Sequence, residues 1–432
     1  MNMTKMPPAV EVAIVGGGHS GLSISFYLQE LGISHLVLEK SEPIHSWKHA
    51  RWDNFCLVTP NWQCNLPGWP YLGTDPDGFM KKDDILAYLE GFIRHVDAPT
   101  LCGVAVERMD PIDNGGFMLM TSAGTLKAKQ VVVASGAYHQ PIIPRMSERM
   151  PGSLLQMHSE QYRNSTALPE GAVLVVGNGQ SGAQIAEDLH LAGRQVYLAI
   201  GDAPRCARFY RGKDVVRWLA DMGYYDLPVE KHPLREGVRD NTNHYVTGRD
   251  GGRDIDLRKF ALEGMELFGS LADIDGEILK FQPTLRQALD DADHVYNRIN
   301  ASIDKYIQEN RIDAPAGHRY EPVWVPATER TEISISKANI TSVIWCIGFR
   351  PDYSWINASV FNGVGLPVHY RGVTSQPGLY FLGLPWLHTW GSGRFSGVAR
   401  DAKYISEKIL NFTNSLGAEH ELNDPVGAIG SA

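Results

Sequence analysis

Short apolar runs recur along this chain, and each is followed by a glycine-rich turn or by a helix-patterned stretch. Residues 10–15 lead into Gly16-Gly17-Gly18-His19-Ser20-Gly21, a helical pattern covers 20–31, and a second apolar run occupies 36–39. The same order returns downstream, with 172–176, then Gly177-Asn178-Gly179-Gln180-Ser181-Gly182, then a helical stretch and the run 196–199. Continuous apolar runs of this length, bounded by glycine, predict strands buried on both faces of a parallel sheet. Residues 41–80 are rich in Trp, Pro and Gly and follow neither period. A helix is predicted over 83–96, where Asp83 and Asp84 in the first turn favour the helix dipole. The runs 104–107, 116–121 and 125–127 predict a small antiparallel excursion, and 130–134 a return to the main sheet. Residues 221–330 are polar and helix-rich, as an insertion would be, while 343–347 and 379–382 read as strands rejoining the first unit and 396–410 as a closing helix.

This order predicts an α/β chain with two Rossmann-like dinucleotide-binding domains, one inserted in the other. The first is expected over 9–150 and 336–413, and the second over 151–335 with a helix-rich insertion at about 221–330. Both turns fit G-x-G-x-x-G in the strand-to-helix context that the dinucleotide fingerprint requires. The first glycine permits the tight turn, the second lets backbone approach a pyrophosphate, and the third lets helix pack on strand. The helix N-terminus then presents its free N–H groups to the phosphates.

The two copies differ where the ribose would lie. The first second-strand run ends on a carboxylate, Glu39, suited to a ribose 2′-OH. The second ends on Ile200, followed by Gly201, Asp202, Arg205, Arg208, Arg211 and Lys213. A carboxylate repels a 2′-phosphate and nearby arginines accommodate one, so the first site is read as FAD and the second as NADPH. Asp202 opposes the second assignment if the loop turns it to the ribose, and the arginine run also reads as a solvated face.

Composition sets limits on this reading. At 432 residues, with 43% hydrophobic and 21% charged residues, the chain is an ordinary globular enzyme of two or three domains. A formal net charge of −9 argues against nucleic acid as a partner. The start MNMTKMPPAV lacks the apolar stretch of a signal peptide, and no run approaches the ~18 residues of a membrane span, so a cytoplasmic protein is expected. Oligomeric state is open, a homodimer included. Cys56, Cys64, Cys102, Cys206 and Cys346 form no C-x-x-C or C-x4-C pair, which excludes a dithiol beside a flavin. No H-E-x-x-H or G-x-S-x-G occurs, and His158-Ser159-Glu160 lacks the cysteine pair that a zinc deaminase needs, so no metal is expected.

Beyond the two glycine turns, the chain carries Glu39-Lys40 leading to Trp47, Leu57 to Pro60 with Leu66-Pro67, Ala134-Ser135-Gly136, and His158-Ser159 with Tyr162. Arg211-Gly212-Lys213-Asp214, Gly348-Phe349-Arg350-Pro351-Asp352 and Pro377-Gly378 through Gly383 to Trp386 complete the set. On these residues the chain, from about Val10 to about Leu410, resembles the class B flavin-dependent monooxygenases of the single-component kind. It is similar in particular to the bacterial subgroup labelled "flavoprotein involved in potassium transport", related to plant indole-pyruvate monooxygenases. The resemblance implies FAD contacts at Gly16, Gly18, His19, Ser20, Gly21, Glu39, Lys40, Trp47, Thr59, Val104, Ala134 and Gly136. It implies coenzyme contacts at Gly177, Gly179, Gln180, Ser181, Gly182, Arg205 and Arg211, with Gly348, Arg350 and Gly383 also against the cofactors. It further implies reduction of FAD by NADPH, a C4a-hydroperoxyflavin formed with O2, and oxygenation of a small organic substrate.

The segment 59–65 matches the family stretch along the flavin ring, where Asn61 is the candidate catalytic donor and Gln63 an alternative, with Cys64 close by. Trp390 and Arg394 are substrate-side candidates. The segment around Trp390-Gly391-Ser392-Gly393-Arg394 is also similar to flavoproteins of nitrilase-linked clusters, which implies an amine or nitrile-related substrate. The residues depart from the family where Ser135 replaces the usual Thr and where five residues, not three, separate Gly152 from His158. No Trp follows that His, which favours hydroxylation over ester formation. A reductase that passes electrons elsewhere, and a nucleotide-sensing module of a transporter, remain alternatives.

Overall fold

The computed structural model describes residues 5–113 and 115–423. The chain opens with strand β1 (Ala9–Val15), helix α1 (His19–Glu30) and strand β2 (His35–Glu39), in which all five β2 residues are buried. Helix α2 (Lys82–Val96) leads to β3 (Thr100–Cys102), which lies parallel to β2. Then come β4 (Val106–Pro111), β5 (Phe117–Thr121) and β6 (Gly124–Val133).

The expected third strand of the excursion and the return strand are one element. In β6, exposed and buried residues alternate at first, where the strand pairs antiparallel with β5. Burial is then continuous over 130–133. The change of pattern within one strand is what made it read as two.

The second unit holds β7 (Leu155–His158), β8 (Ala172–Val176), helix α3 (Gln180–Leu191) and β9 (Val196–Ala199). Helix α4 (Leu257–Leu262) and β10 (Glu266–Phe268) follow, then a hairpin of β11 (Leu271–Asp275) and β12 (Ile278–Phe281). Helix α5 (Leu285–Glu309), β13 (Glu332–Ser334) and β14 (Ile340–Trp345) complete it. The sheet runs β7-β14-β8-β9-β10, parallel throughout.

Two expectations are corrected here. The run 343–347 does not rejoin the first sheet: β14 sits at the centre of the second, between β7 and β8. An apolar parallel strand looks the same in either sheet, so its sequence does not say which one it joins. The region 221–330 is also more than an insertion, because β10 within it extends the second sheet beside β9.

The chain returns to the first sheet with a parallel bridge of Ile356 to Met109 of β4 and then with β15 (Leu379–Phe381), parallel to the C-terminal half of β6, and closes with helix α6 (Val398–Asn423). The first sheet therefore runs β3-β2-β1-β6-β5-β4, with β15 also on β6. One face is covered by a core that joins Leu22 and Leu28 of α1, Phe92 of α2, and Ala402, Ile405 and Ile409 of α6. The other face is closed by a second core of Leu36, Leu38, Phe117, Val131 and Phe381. Helix α5 buries Leu289, Tyr296, Ile303 and Ile307 along one stripe, of which the last three pack against Ala207, Tyr210, Val215 and Trp218. The C-terminal ends of β1 and β8 each carry a glycine turn.

Candidate functional site: two glycine cradles

In the first turn each glycine has its own reason. Gly16 has φ +114°, and a Cβ there would meet the Ala134 carbonyl oxygen at 2.5 Å. A Cβ at Gly21 would lie 1.9 Å from the Gly16 carbonyl oxygen, so only glycine lets α1 pack on β1. Gly18 is different: its φ of −74° suits any L-residue, and a Cβ there meets nothing within 4 Å. Neither backbone strain nor the protein's own packing demands glycine at that position. The space in front of it is a cradle, and the N-cap of α1 has no side chain to satisfy its first-turn N–H groups.

The second turn repeats the arrangement. Gly177 has φ +98°, and a Cβ there would lie 2.7 Å from the Cys346 carbonyl oxygen; at Gly182 it would lie 1.9 Å from the Gly177 oxygen. Gly179 has φ −58° and only a Thr242 methyl at 3.8 Å. Both cradles fit the pyrophosphate of a dinucleotide.

Around the first cradle, Glu39 is buried at the end of β2. Its Oε2 accepts the Gly17 N–H at 2.7 Å and its Oε1 the Ser41 N–H at 2.9 Å. Val104 donates its N–H to the Glu39 carbonyl at 3.0 Å, while Lys40 is exposed beside it. His19 Nε2 lies 3.2 Å from the Gly393 carbonyl and its ring stands edge-on to Phe395 at 5.1 Å. Burial pulls the His19 pKa down to about 4, against the raising effect of Gly393, so the ring is neutral at physiological pH. Ser20 is buried against Gly383, whose φ is +85°. Trp47 packs on Phe395 at 5.1 Å, and Thr59 is half-buried on the following loop. Ala134 donates to Val15 O, and the Gly136 carbonyl accepts the Tyr353 hydroxyl.

Asn61, the expected donor to a flavin-bound oxygen, is tied into its own loop. Its Nδ2 donates to the Asp75 carbonyl at 2.9 Å and its Oδ1 accepts the Met80 N–H at 2.8 Å. The side chain staples the loop 61–80 together, which is why an amide is needed at a buried position.

Around the second cradle, Asn178 Oδ1 accepts the Gly201 N–H at 2.8 Å, and Gln180 Nε2 donates to the Val246 carbonyl at 2.7 Å. Ser181 is exposed. Gly348, with φ +90°, has its carbonyl 3.1 Å from His158 Nε2, and Arg350 is exposed on the next short strand.

The arginines expected at a 2′-phosphate are committed elsewhere. Arg205 is 3% exposed, paired with Asp256 at 3.3 Å and Asp293 at 3.1 Å, and stacked over Tyr320 at 4.0 Å. Arg211 pairs with Asp304 at 2.9 Å and donates to the Pro315 carbonyl. Arg208 holds Asp214 and Lys213 holds Asp221. The basic run is a set of internal clamps to α5 and its neighbours. The carboxylates that neutralise it lie up to about ninety residues away in the chain, beyond the reach of local reading.

Glu42, His45 and His49 bring one donor atom each within 4.8 Å of one another, the one such group among the described residues. Lys48 already holds Glu42 at 2.6 Å, and its hydrogen bond pulls that carboxyl down to about 2. All five cysteines are free, and burial raises the thiols of Cys64 and Cys346.

A two-sheet chain with one cradle per sheet defines a two-dinucleotide flavoprotein, and comparisons with known proteins narrow the class. Residues 13–222 match the family described as pyridine nucleotide-disulphide oxidoreductase. A CzcO-like oxidoreductase of Geobacillus kaustophilus is 31% identical over 94% of this chain and 100% of its own length. Indole-3-pyruvate monooxygenase YUCCA6 of Arabidopsis thaliana is 31% identical over 44% of this chain and 47% of that one. The fold matches a flavin-containing monooxygenase from Stenotrophomonas maltophilia with TM-score 0.63, at 20% identity, covering 94% of this chain and 100% of that one. The chain belongs to the class B flavin-dependent monooxygenase family, among the CzcO-like oxidoreductases. It is a flavin-dependent oxidoreductase. Among the described residues, no helix is long and apolar enough to cross a membrane.

Proposed function

We propose that the chain binds FAD at the Gly18 cradle and NADPH at the Gly179 cradle, and inserts one atom of O2 into a small organic substrate. The observation that carries this reading is the pair of glycines that neither strain nor packing requires, each at the start of a helix on its own parallel sheet. The FAD unit comprises the first sheet with α6. The coenzyme unit runs from about 151 to Trp345, past the expected limit of 335, because β14 lies in the second sheet.

When bound, the flavin accepts hydride from NADPH and delivers electrons to O2; the chain's residues hold, orient and keep dry. The Glu39 carboxylate ties the glycine turn to the end of β2 by accepting the Gly17 and Ser41 N–H groups, and keeps lone pairs free for ribose hydroxyls. Trp47, Phe55 and Phe395 form an aromatic wall beside neutral His19, with the Arg51 guanidinium lying over Trp47 and Phe55. No cysteine pair accompanies the site, which supports oxygen chemistry over disulphide reduction.

The test is the fate of the electrons. Purified, FAD-loaded protein should oxidise NADPH in step with O2 uptake and should reduce ferricyanide slowly. Rapid transfer to ferricyanide with negligible O2 uptake would assign it as a reductase.

A further inference from the structure

After β2 the chain turns into a five-residue helix, His45–His49. His45 and His49 stand four residues apart, so their imidazoles share one face of that helix, with ring centroids 4.5 Å apart. Glu42 reaches the same face from the turn: its Oε1 lies 2.9 Å from His49 Nε2 and 3.9 Å from His45 Nδ1. One donor atom from each of the three falls within 4.8 Å of the others. The side chains of Glu42, His45 and His49 are 42%, 44% and 56% exposed, so an ion in solution can reach all three.

We propose that Glu42, His45 and His49 bind a divalent cation of the zinc class, and that the bound cation stabilises FAD in the neighbouring cradle. Donors about 2.0–2.2 Å from a tetrahedral ion lie about 3.3–3.6 Å from one another, and the two Glu42 distances fall on either side of that range. Small side-chain rotations close the site, with the cation taking the place of the proton between His49 and Glu42. Two imidazoles and one carboxylate favour Zn2+, Co2+ or Ni2+ over Mg2+ and Ca2+, which take oxygen ligands. The i, i+4 spacing is the one by which a helix offers two histidines to zinc. Lys48 does not compete for the same atom: its Nζ holds Oε2 at 2.6 Å and leaves Oε1 to the histidines. That hydrogen bond, with a second from His49, pulls the Glu42 carboxyl down to about 2, so it stays ionised and oriented. With only three protein ligands and a lysine alongside, the site is an exchangeable one and not a closed structural centre.

The segment that carries these ligands is fastened to the first glycine turn. Ile44, 2% exposed, donates its N–H to the Gly17 carbonyl at 3.2 Å, and the Gly17 N–H donates to Glu39. Trp47, between the two histidines in the chain, packs at 5.1 Å on Phe395. Arg163 of the second unit donates to the His49 carbonyl. A cation that joins Glu42 to His45 and His49 therefore ties together the residues on both sides of Ile44, and holds the contact that Ile44 makes with the turn. Ordering done by one ligand need not be repeated by the other, so cation and FAD assist each other's binding. This coupling rests on the reading that FAD occupies the Gly18 cradle; the cation site itself does not.

The test titrates tag-free protein, as purified and stripped with a chelator, with Zn2+ in a calorimeter. One Zn2+ should bind per chain, and excess Mg2+ should not displace it. His45→Ala and His49→Ala should each weaken binding about ten-fold or more, since loss of even an outer partner of a metal ligand costs that much. His318→Ala, at an exposed histidine outside the group, should bind Zn2+ as the wild type does. All these positions are exposed, so the variants should melt with the wild type in chelator. FAD release, followed by flavin fluorescence after dilution, should slow at least about five-fold with Zn2+ in the wild type and not in His49→Ala. Absence of saturable Zn2+ binding overturns the site, as does an equal loss in His318→Ala, which would mark binding to surface imidazoles at large. Zn2+ binding that leaves FAD release unchanged overturns the coupling. If Zn2+ binds as described to protein that carries no FAD and takes none up, the cation site stands and the FAD reading fails.

Discussion

A Cβ at Gly18 or at Gly179 meets almost nothing, whereas one at Gly21 or Gly182 would sit 1.9 Å from a carbonyl oxygen. The fingerprint therefore separates into residues that build the turn and residues that leave room. Gly18→Val should fold, melt near the apo protein, and carry no FAD, because its side chain fills the pyrophosphate space. Gly179→Val should keep its yellow colour and lose reduction by NADPH. Gly21→Ala should fail to accumulate as folded protein, since the clash is with backbone. Full flavin retention in Gly18→Val, read by absorbance after gel filtration, would remove FAD from this cradle.

Helix α5 and the first turn of α6 show how charge is placed within elements. Arg205 and Arg258 reach Asp293 of α5 from the preceding segment, at 3.1 and 2.8 Å. Removing Arg205 takes the guanidinium from Asp256 and leaves Asp293 with Arg258 alone, so Arg205→Ala should lower stability by roughly 3–5 kcal/mol in denaturant titrations. Arg211→Ala, by contrast, should leave the NADPH to NADH preference within about two-fold. A drop of about ten-fold, the size of one lost charged hydrogen bond, would show that Arg211 reaches the coenzyme.

Asp401 behaves in the opposite way to a paired carboxylate. Burial raises its pKa to about 6, with Ser392, Arg400 and Arg371 opposing. Because the folded pKa lies above the unfolded value, the folded state binds the proton more tightly. This contribution is fully present below about pH 4 and is lost as pH rises through about 6. Asp401→Asn should raise stability at pH 7.5 by up to about 3 kcal/mol and leave it unchanged near pH 4. Thermal melts at both values decide this, and an equal shift at both would contradict the assignment.

At the scale of the whole molecule, what was legible followed from short-range rules. Both strand–helix–strand units could be read because each turn needs glycine at fixed spacing and each strand is a continuous apolar run. The sheet that claims 340–345 could not, since parallel pairing is decided by partners more than 150 residues away. Nor could the fate of Arg205, whose carboxylates lie in segments that only the tertiary fold brings near. Asn61 reads as a catalytic donor because its segment matches a family stretch, and the bonds that tie its amide into its own loop are visible only in the fold.

The central claim is that the protein retains oxygen at the flavin for insertion, with coenzyme still bound. Protein loaded with FAD, reduced by one equivalent of NADPH and mixed with O2, is followed simultaneously by an oxygen electrode and a peroxide assay. Dissolved oxygen should fall first and peroxide should appear later, with the delay lengthened by added NADP+ and absent in Gly179→Val, whose flavin is reduced photochemically because NADPH no longer reduces it. If oxygen loss and peroxide release coincide, with or without NADP+, the site holds no oxygen for insertion and the monooxygenase reading fails.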